Sequence, residues 1–441
     1  MKVKKNKKRF PDLKTSATVD YTSFVRANQN YFGSEENESQ LFSLGLGAKG
    51  KMSALDVDAH YLFSPAEEQS YFKLIEFKRE YLEENKKITV GRHLHEWSKA
   101  DNFWHLGDWH SRFLWDKFNP EEMGMTGVFY ERKWSAFKLN LFGSFLFLPD
   151  QEPSYFEDGN RVRSKNPWFR SLPPSAQVLG QYLAVSSAIV RPDVEDVIFQ
   201  PSAAFQVSYN WSQKWNTQLA YSYKPESQSL ATFDYYLQSV PSSSDIAVVT
   251  IFPKFPYHHV ATLEGSYHSD RWEVVQSVTH QKPVLDSEPV DFISQNKTPL
   301  TAGSIILGYH LGQRGFVTDK IYGGILRVWE EWPRDRGEDA SENSQFDRRS
   351  LFYSALRAGA QKSWIYRGRP LDTQIEGTYD ALIGGALLTT KARYQIDRDK
   401  SLGFRLNLIG IVHDTDIEYE KTFVRNFRAN DNVGVDFSYA F

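Results

Sequence analysis

The chain has no cysteine among its 441 residues. That excludes a disulfide framework and any thiolate metal site. No run of roughly 18 apolar residues occurs, so the sequence offers no membrane-spanning helix. An excess of one charge is missing too. The formal net charge is −3, and a chain this close to neutral lacks the basic footprint of a nucleic-acid binder. Neither a Gly-x-Ser-x-Gly elbow nor a phosphate-binding glycine loop is found. The expectation is a protein that is not an enzyme, with no catalytic residue, cofactor or metal. The mean hydropathy of −0.52 would by itself describe a soluble protein.

Aromatics are what the chain has in excess: 12 Trp, 23 Tyr and 31 Phe, 15 % of all residues. A soluble core does not need so many. A barrel that crosses a membrane does, for the girdles at its two interfaces, while a polar lumen keeps the mean hydropathy low. From Lys14 onward the chain breaks into segments of about ten alternating residues, the length a tilted strand needs to span a bilayer. Leu55, Val57, Ala59, Tyr61 and Phe63 alternate with Asp56, Asp58 and His60. Ile75, Phe77 and Tyr81 oppose Glu76, Lys78 and Glu80. Leu402, Phe404, Leu406 and Leu408 oppose Arg405 and Asn407. Carboxylates set opposite long apolar rows fit a wet lumen and a lipid face better than a soluble sandwich.

Counting such segments gives about 18, with 16 as the alternative because the connection at Ile383 and Gly384 is short. Tight turns alternate with long connections. The tight ones include 50–51, 83–85, 133–134, 212–213, 269–270, 313–317, 365–370 and 397–400. The long ones are 94–123, 149–199, 225–256, 282–300, 333–349 and 414–430. The last segment alternates strictly: Val433, Val435, Phe437, Tyr439 and Phe441 against Asn432, Gly434, Asp436, Ser438 and Ala440. This ending on Phe441 resembles the closing strand of bacterial outer-membrane β-barrels, the porin-like class. The resemblance implies an all-β transmembrane antiparallel barrel in the outer membrane of a Gram-negative bacterium. It would touch outer-membrane lipid and lipopolysaccharide. Phe437, Tyr439 and Phe441 would be the signal read by the barrel assembly machinery. Residues 1–13 are set apart as a basic flexible segment; they resemble the n-region of a signal peptide, but no apolar h-region follows. The barrel would occupy 14–441.

Two long connections are rich enough to carry function. Residues 91–116 hold four Trp, four His and three Asp. Disordered loops are poor in aromatics, so this one is expected to fold. One reading is a local aromatic core that fixes a constriction or plug. A second is a saccharide site, because Trp faces stack on pyranose rings while Asp and Arg pair with hydroxyls. Its candidates are Trp97, Asp101, Trp104, Asp108, Trp109, Arg112 and Trp115, with Trp168 from the second loop. A third is a metal site on His93, His95, His105 and His110, whose spacing does not match the helical zinc motif. In 149–199, residues 175–190 place Val178, Leu179, Tyr182, Leu183 and Val185 at roughly helical spacing. About 50 residues is too long for an idle connection, so this segment is read as a constriction or plug, or as an outer loop packed on its own helix.

The residues expected to face the lumen are Asp56, Asp58, Glu76, Lys78, Glu80, Glu264, Glu376 and Arg405. Their signs are mixed and no Arg or Lys ladder is evident, which suits neutral or weakly charged hydrophilic cargo. The same charges could simply pair across strands. The leading expectation is a channel or translocon for saccharide or exopolysaccharide cargo, narrowed by the inserted loops. The barrels of exopolysaccharide and capsule secretion systems are similar in size, and that likeness implies a periplasmic export complex. Basic turn residues such as Lys49, Lys51, Lys86, Lys87, Arg132, Lys133, Arg367 and Arg369 would dock it or simply aid solubility. The alternatives are a general diffusion porin and a non-transporting anchor, adhesin or partner-binding barrel.

Overall fold

The computed structural model describes residues 12–25, 38–52, 54–171, 175–178, 181–238, 246–284, 293–294, 298–311, 319–330, 350–413 and 422–441. Residues 1–11 of the basic segment set apart as 1–13, the turn at 313–317, the connection 333–349, the stretch 172–174 and Leu179 lie outside them, while Asp12 and Leu13 already belong to the first strand.

Eighteen strands make one closed sheet. They are β1 Asp12–Phe24, β2 Gln40–Met52, β3 Leu55–Ser64, β4 Gln69–Glu83, β5 Lys86–His93, β6 Met125–Trp134, β7 Phe137–Ser144, β8 Ser202–Asn210 and β9 Trp215–Pro225. The second half holds β10 Tyr257–His268, β11 Trp272–Pro283, β12 Leu300–His310, β13 Lys320–Glu330, β14 Ser354–Tyr366, β15 Arg369–Asp380, β16 Gly385–Gln395, β17 Lys400–Ile411 and β18 Asn432–Ala440. Each strand pairs antiparallel with the next. β18 returns to β1, in register from Ser16 opposite Ala440 to Phe24 opposite Asn432. Closure leaves no open edge, which is the condition for a sheet to exist in lipid.

Alternation builds both faces. Leu219 and Leu263 sit opposite each other on β9 and β10 and remain 44 % and 55 % exposed. Their sequence neighbours Ala220, Ser222, Thr262 and Glu264 are buried on the inner side. Above and below the aliphatic band lie ring pairs. Trp215 packs on Tyr267 at 4.8 Å and Trp272 on Tyr309 at 4.6 Å at the short-turn rim. Tyr223 stacks on Tyr257 at 4.8 Å at the other rim. A band of exposed aliphatics between two aromatic girdles is the exterior a bilayer requires. The protein is a transmembrane barrel of the outer-membrane class.

Three local features explain the wall. The short outer turn after β15 is held by Asp380, whose Oδ1 accepts the Leu382 and Ile383 amides at 3.0 and 3.1 Å, with Gly384 at φ 66. It is a true strand connection, so the count is 18. The β3–β4 register slips between Asp58 and Ala59. The bulge leaves the carbonyl of Ile75 free to accept from the Gly124 amide at 3.0 Å, where the first inserted loop rejoins the wall. Finally, the described residues of 175–190 are extended. Strands Ser175–Val178 and Gln181–Ile189 replace the helical reading, because Gln181–Ile189 pairs in parallel with Ile246–Lys254. That pairing buries Leu183, Val185 and Ala247 together. With Leu230–Gln238 and Ile293–Ser294 they form a five-stranded sheet of their own. A spacing read within one segment could not see a partner strand about 65 residues away.

Candidate functional site

The first inserted loop folds into the lumen around a short helix, α1 Lys99–Trp104. Ser98 is its N-cap, with Oγ accepting the Asp101 amide at 3.2 Å. His105 ends it in the left-handed region at φ 54. Asp101 then turns its carboxylate onto the returning chain and accepts the Asp108 and Trp109 amides, each at 3.2 Å. Gly107, at φ 75, makes the reversal; a Cβ there would strike the Arg112 guanidinium. Arg112 bonds the His105 carbonyl at 3.2 Å and Asp150 at 3.1 Å.

The wall holds this segment through polar clamps. Glu264 on β10 accepts from Ser98 Oγ at 3.1 Å, the Lys99 amide at 3.0 Å, the Ala100 amide at 3.3 Å and Gln218 at 3.2 Å. A carboxylate at the first turn satisfies amides that no helical partner can. Gln206 on β8 donates to the carbonyls of Glu96 and Trp97 at 3.0 and 3.3 Å. Trp109 donates to Thr262 at 3.3 Å, and Gln281 donates to Asp108. From the far wall Arg357 donates to the Phe103 carbonyl and lies over the rings of Trp104 and Phe352 at 4.9 and 5.5 Å. The segment spans the lumen from β8–β10 to β14.

These contacts relocate the saccharide candidates. Trp97, Trp104, Trp109 and Trp168 are at most 1 % exposed, and Trp115 is 7 % exposed. Trp97 stacks on Trp109 at 5.2 Å. Trp168 stacks on Phe423 at 6.1 Å and packs against Phe24 and Phe427. Trp115 donates to Glu67 at 2.6 Å, a carboxylate that also accepts Tyr71, Ser154 and Asn166. Trp97, Trp104, Trp109 and Trp168 offer no free face and cannot serve as a sugar-stacking platform in this arrangement, and Trp115 only borders the larger cavity. Asp101, Asp108 and Arg112 are bound to the plug and the wall. The second loop divides: Asp150 and residues 164–169 enter the packed mouth, while 175–178 and 181–189 stay in the outer sheet. The four histidines go to different partners: His93 to Glu76, His95 to Gln206, His110 to the His95 carbonyl, and His105 to the helix end. Burial pushes His95 down to about 4 and His105 and His110 down to about 3. Burial first, and Asp101 next, push Glu122 up to about 7.

Below the plug, toward the short-turn rim, the lumen stays open. One cavity of 560 Å³ is lined by β14–β18, β1–β4 and the plug residues Phe113, Trp115, Asp116, Asn119 and Glu121. A second of 390 Å³ lies between Lys99, Phe103, Tyr322, Arg357 and Glu376. The two share Gln361 and Gln374. Their walls show a pattern that single-strand reading missed. Asp436 on β18 lays its carboxylate over Gly403 on β17, where Arg393 on β16 meets it at 3.0 Å. Arg405 on β17 passes over Gly434 on β18 to reach Asp20 on β1 at 3.5 Å and Thr22 at 3.1 Å. Each pair skips one strand because a glycine there leaves room for a side chain to lie flat, Asp436 over Gly403 and Arg405 over Gly434. Lys391 stands beside Arg405 in register. The expected absence of a basic ladder is therefore corrected. Its basic members share one hairpin, and their acceptors, Asp436 and Asp20, reach them only through the register.

The other inward charges are mostly paired. Asp58 meets Lys49 at 2.6 Å and His60 at 2.8 Å, and Asp56 meets Lys51 at 3.6 Å. Glu76 meets Lys78 at 2.9 Å, Glu80 meets Lys87 at 3.2 Å and Glu376 meets Arg357 at 3.6 Å. Most of these pairs join neighbouring strands, which stiffens the wall, and Glu76 with Lys78 pairs within β4.

No protein-family model and no curated protein matches this chain. Among solved structures it is similar to OccK11 (OpdR) of Pseudomonas aeruginosa, 10 % identical over 97 % of this chain and 95 % of that one, with a TM-score of 0.45. It is similar to OccAB4 of Acinetobacter baumannii at 9 % identity, 97 % of each chain and a TM-score of 0.44. A loop-deletion mutant of OmpT, an outer membrane protein of Vibrio cholerae, gives 9 % identity, 98 % and 99 % coverage and a TM-score of 0.38. At that distance nothing about function passes from those proteins to this one.

Proposed function

We propose that the protein is an outer-membrane channel for small hydrophilic solutes of saccharide size, narrowed by the segment 94–123. The observation that carries this reading is the 560 Å³ vestibule beneath a docked plug, whose wall sets charged, hydroxyl and amide groups among apolar side chains such as Leu62, Phe113 and Phe404. Pockets of this volume hold compounds of one or two sugar rings. A polymer needs an uninterrupted bore, and the loop-side lumen is packed with Phe24, Leu41, Trp104, Trp168, Phe352 and Phe427. This favours a small solute over an exported polysaccharide. The rings of Phe103 and Tyr322, both part-exposed at the second cavity, are better placed to meet a sugar than the buried Trp set.

The test is conductance in planar bilayers, for the intact chain and for a variant with the plug unclamped by Glu264→Ala. Steps that grow in the variant and are blocked by added disaccharide support the channel. Silence in both sinks it. The five-stranded outer sheet would then favour a partner-binding barrel.

A further inference from the structure

A third side chain lies across a glycine as Asp436 and Arg405 do, and it carries a ring instead of a charge. Tyr322 on β13 is in register with Gly359 on β14, which in turn faces Glu376 on β15. A Cβ at Gly359 would fall on Cζ of the Tyr322 ring, with Oη and Cε2 at 2.6 and 2.7 Å. Such near-equal distances mean that the ring lies face down on the bare strand. Its hydroxyl reaches β15, where it donates to Glu376 at 2.9 Å and accepts from the Gln374 amide at 2.8 Å. Both ends of the side chain are fixed. Tyr322 remains part-exposed, and its free side borders the 390 Å³ cavity. Phe103 of the plug stands at 84° to it, with ring centroids 6.1 Å apart, and closes one side.

A flat apolar face ringed by donors and acceptors is complementary to a pyranose, which has an apolar C–H face and an edge of hydroxyls. The polar ring is present. Gln361 and Gln374 sit directly opposite each other on β14 and β15, and Glu96, Lys99 and Asn102 line the plug side of the same cavity. A space of 390 Å³ has room for one such sugar ring. A planar base would be held best between two parallel rings, and here the second ring stands at a right angle. We propose that Tyr322, held flat over Gly359, is the stacking platform for one uncharged pyranose ring. The site rests on the reading of the lumen as a solute compartment, and it narrows that solute from saccharide size to a closed sugar ring. The platform belongs to the wall and owes its orientation to β14 and β15, so it persists when the plug moves.

The test uses the whole protein, solubilised in a detergent without a sugar headgroup, and saturation-transfer NMR. The probes are methyl glucopyranoside, whose ring is closed, glucitol, which carries hydroxyls without a ring, and caffeine, which is planar without hydroxyls. Saturable transfer from wild type to the glucopyranoside, strongest on the C–H protons of one ring face, supports the site. So does an affinity about fivefold to tenfold weaker in Gly359→Ala, which lifts the ring off the wall and removes no polar group. Equal affinity of wild type and Gly359→Ala overturns the platform. Glucitol bound as well as the glucopyranoside overturns it too, as does caffeine bound in its place, or no saturable transfer from wild type. Heat-modifiable gel migration confirms that the variants fold, and Tyr322→Leu gives the same comparison if Gly359→Ala does not. The two readings fail differently. Binding without conductance removes the channel and leaves the site. Conductance without sugar binding removes the site and leaves the channel.

Discussion

Glu264 shows how much one buried side chain can organise. It satisfies three donors of the plug and one of the wall, at 3.0 to 3.3 Å. Glu264→Ala strands those donors and should weaken plug docking by about 2 kcal/mol or more, read as a lower unfolding temperature. Glu264→Gln should cost less, because the shape and one acceptor remain. Gly403 is a residue of the opposite kind, defined by what it lacks. A Cβ there would meet the Asp436 carboxylate at 2.0 Å. Gly403→Ala should break the Arg393–Asp436 pair, push both heads into the vestibule and lower conductance, with little change in the fold. Equal single-channel steps would contradict that geometry.

At the scale of the element, the plug has a pH dependence whose sign follows from its buried groups. His95, His105 and His110 are held neutral, at about 4, 3 and 3 against an ordinary 6.5. The unfolded segment takes up protons below 6.5 that the folded one refuses. Stability present above 6.5 is therefore lost as the pH falls toward 3. Glu122 works the other way. At about 7 against 4.5, the folded segment keeps a proton that the unfolded one releases, so stability rises as the pH falls through 7 toward 4.5. Below 6.5 the three histidines act against Glu122 and against Asp101 and Asp150, whose carboxyls burial also raises, and the histidine contribution is the one that loosens the plug in acid. Tryptophan fluorescence of the plug against pH reads this, and Glu122→Gln should remove only the gain near neutrality. Trp168 is the packing counterpart. Its ring fills the mouth between Phe24, Phe423 and Phe427. Trp168→Ala should cost about 3–5 kcal/mol locally and raise conductance. Unchanged conductance with lost stability would place the ring outside the solute path.

For the whole molecule, closure depends on the two chain ends. The Phe441 amide bonds the Thr15 carbonyl, and Thr15 Oγ1 bonds the Phe441 carbonyl, each at 2.9 Å. Phe437, Tyr439 and Phe441 lie outward at 38 %, 40 % and 65 % exposure. They contribute little to the interior, so Phe441→Ala should leave the folded barrel intact. If the terminal rings guide assembly, the same change should slow insertion, followed as the rate at which the heat-modifiable band accumulates.

The sequence by itself determined the wall. Period-two alternation, with tight turns on one side and long loops on the other, is a local signal. A strand's two faces are set by its own residues. The sequence also marked 91–116 as a folded aromatic segment. It could not say which way the rings point, because Trp97, Trp109 and Trp168 read alike whether they stack on a sugar or on each other. Only the tertiary structure decided that, by bringing Gln206, Glu264 and Arg357 from distant strands onto one short helix. It also decided the vestibule's charge. Arg393, Gly403 and Asp436 lie on three strands, as do Arg405, Gly434 and Asp20. Whether a cation meets its acceptor depends on register across the sheet, which no single strand encodes.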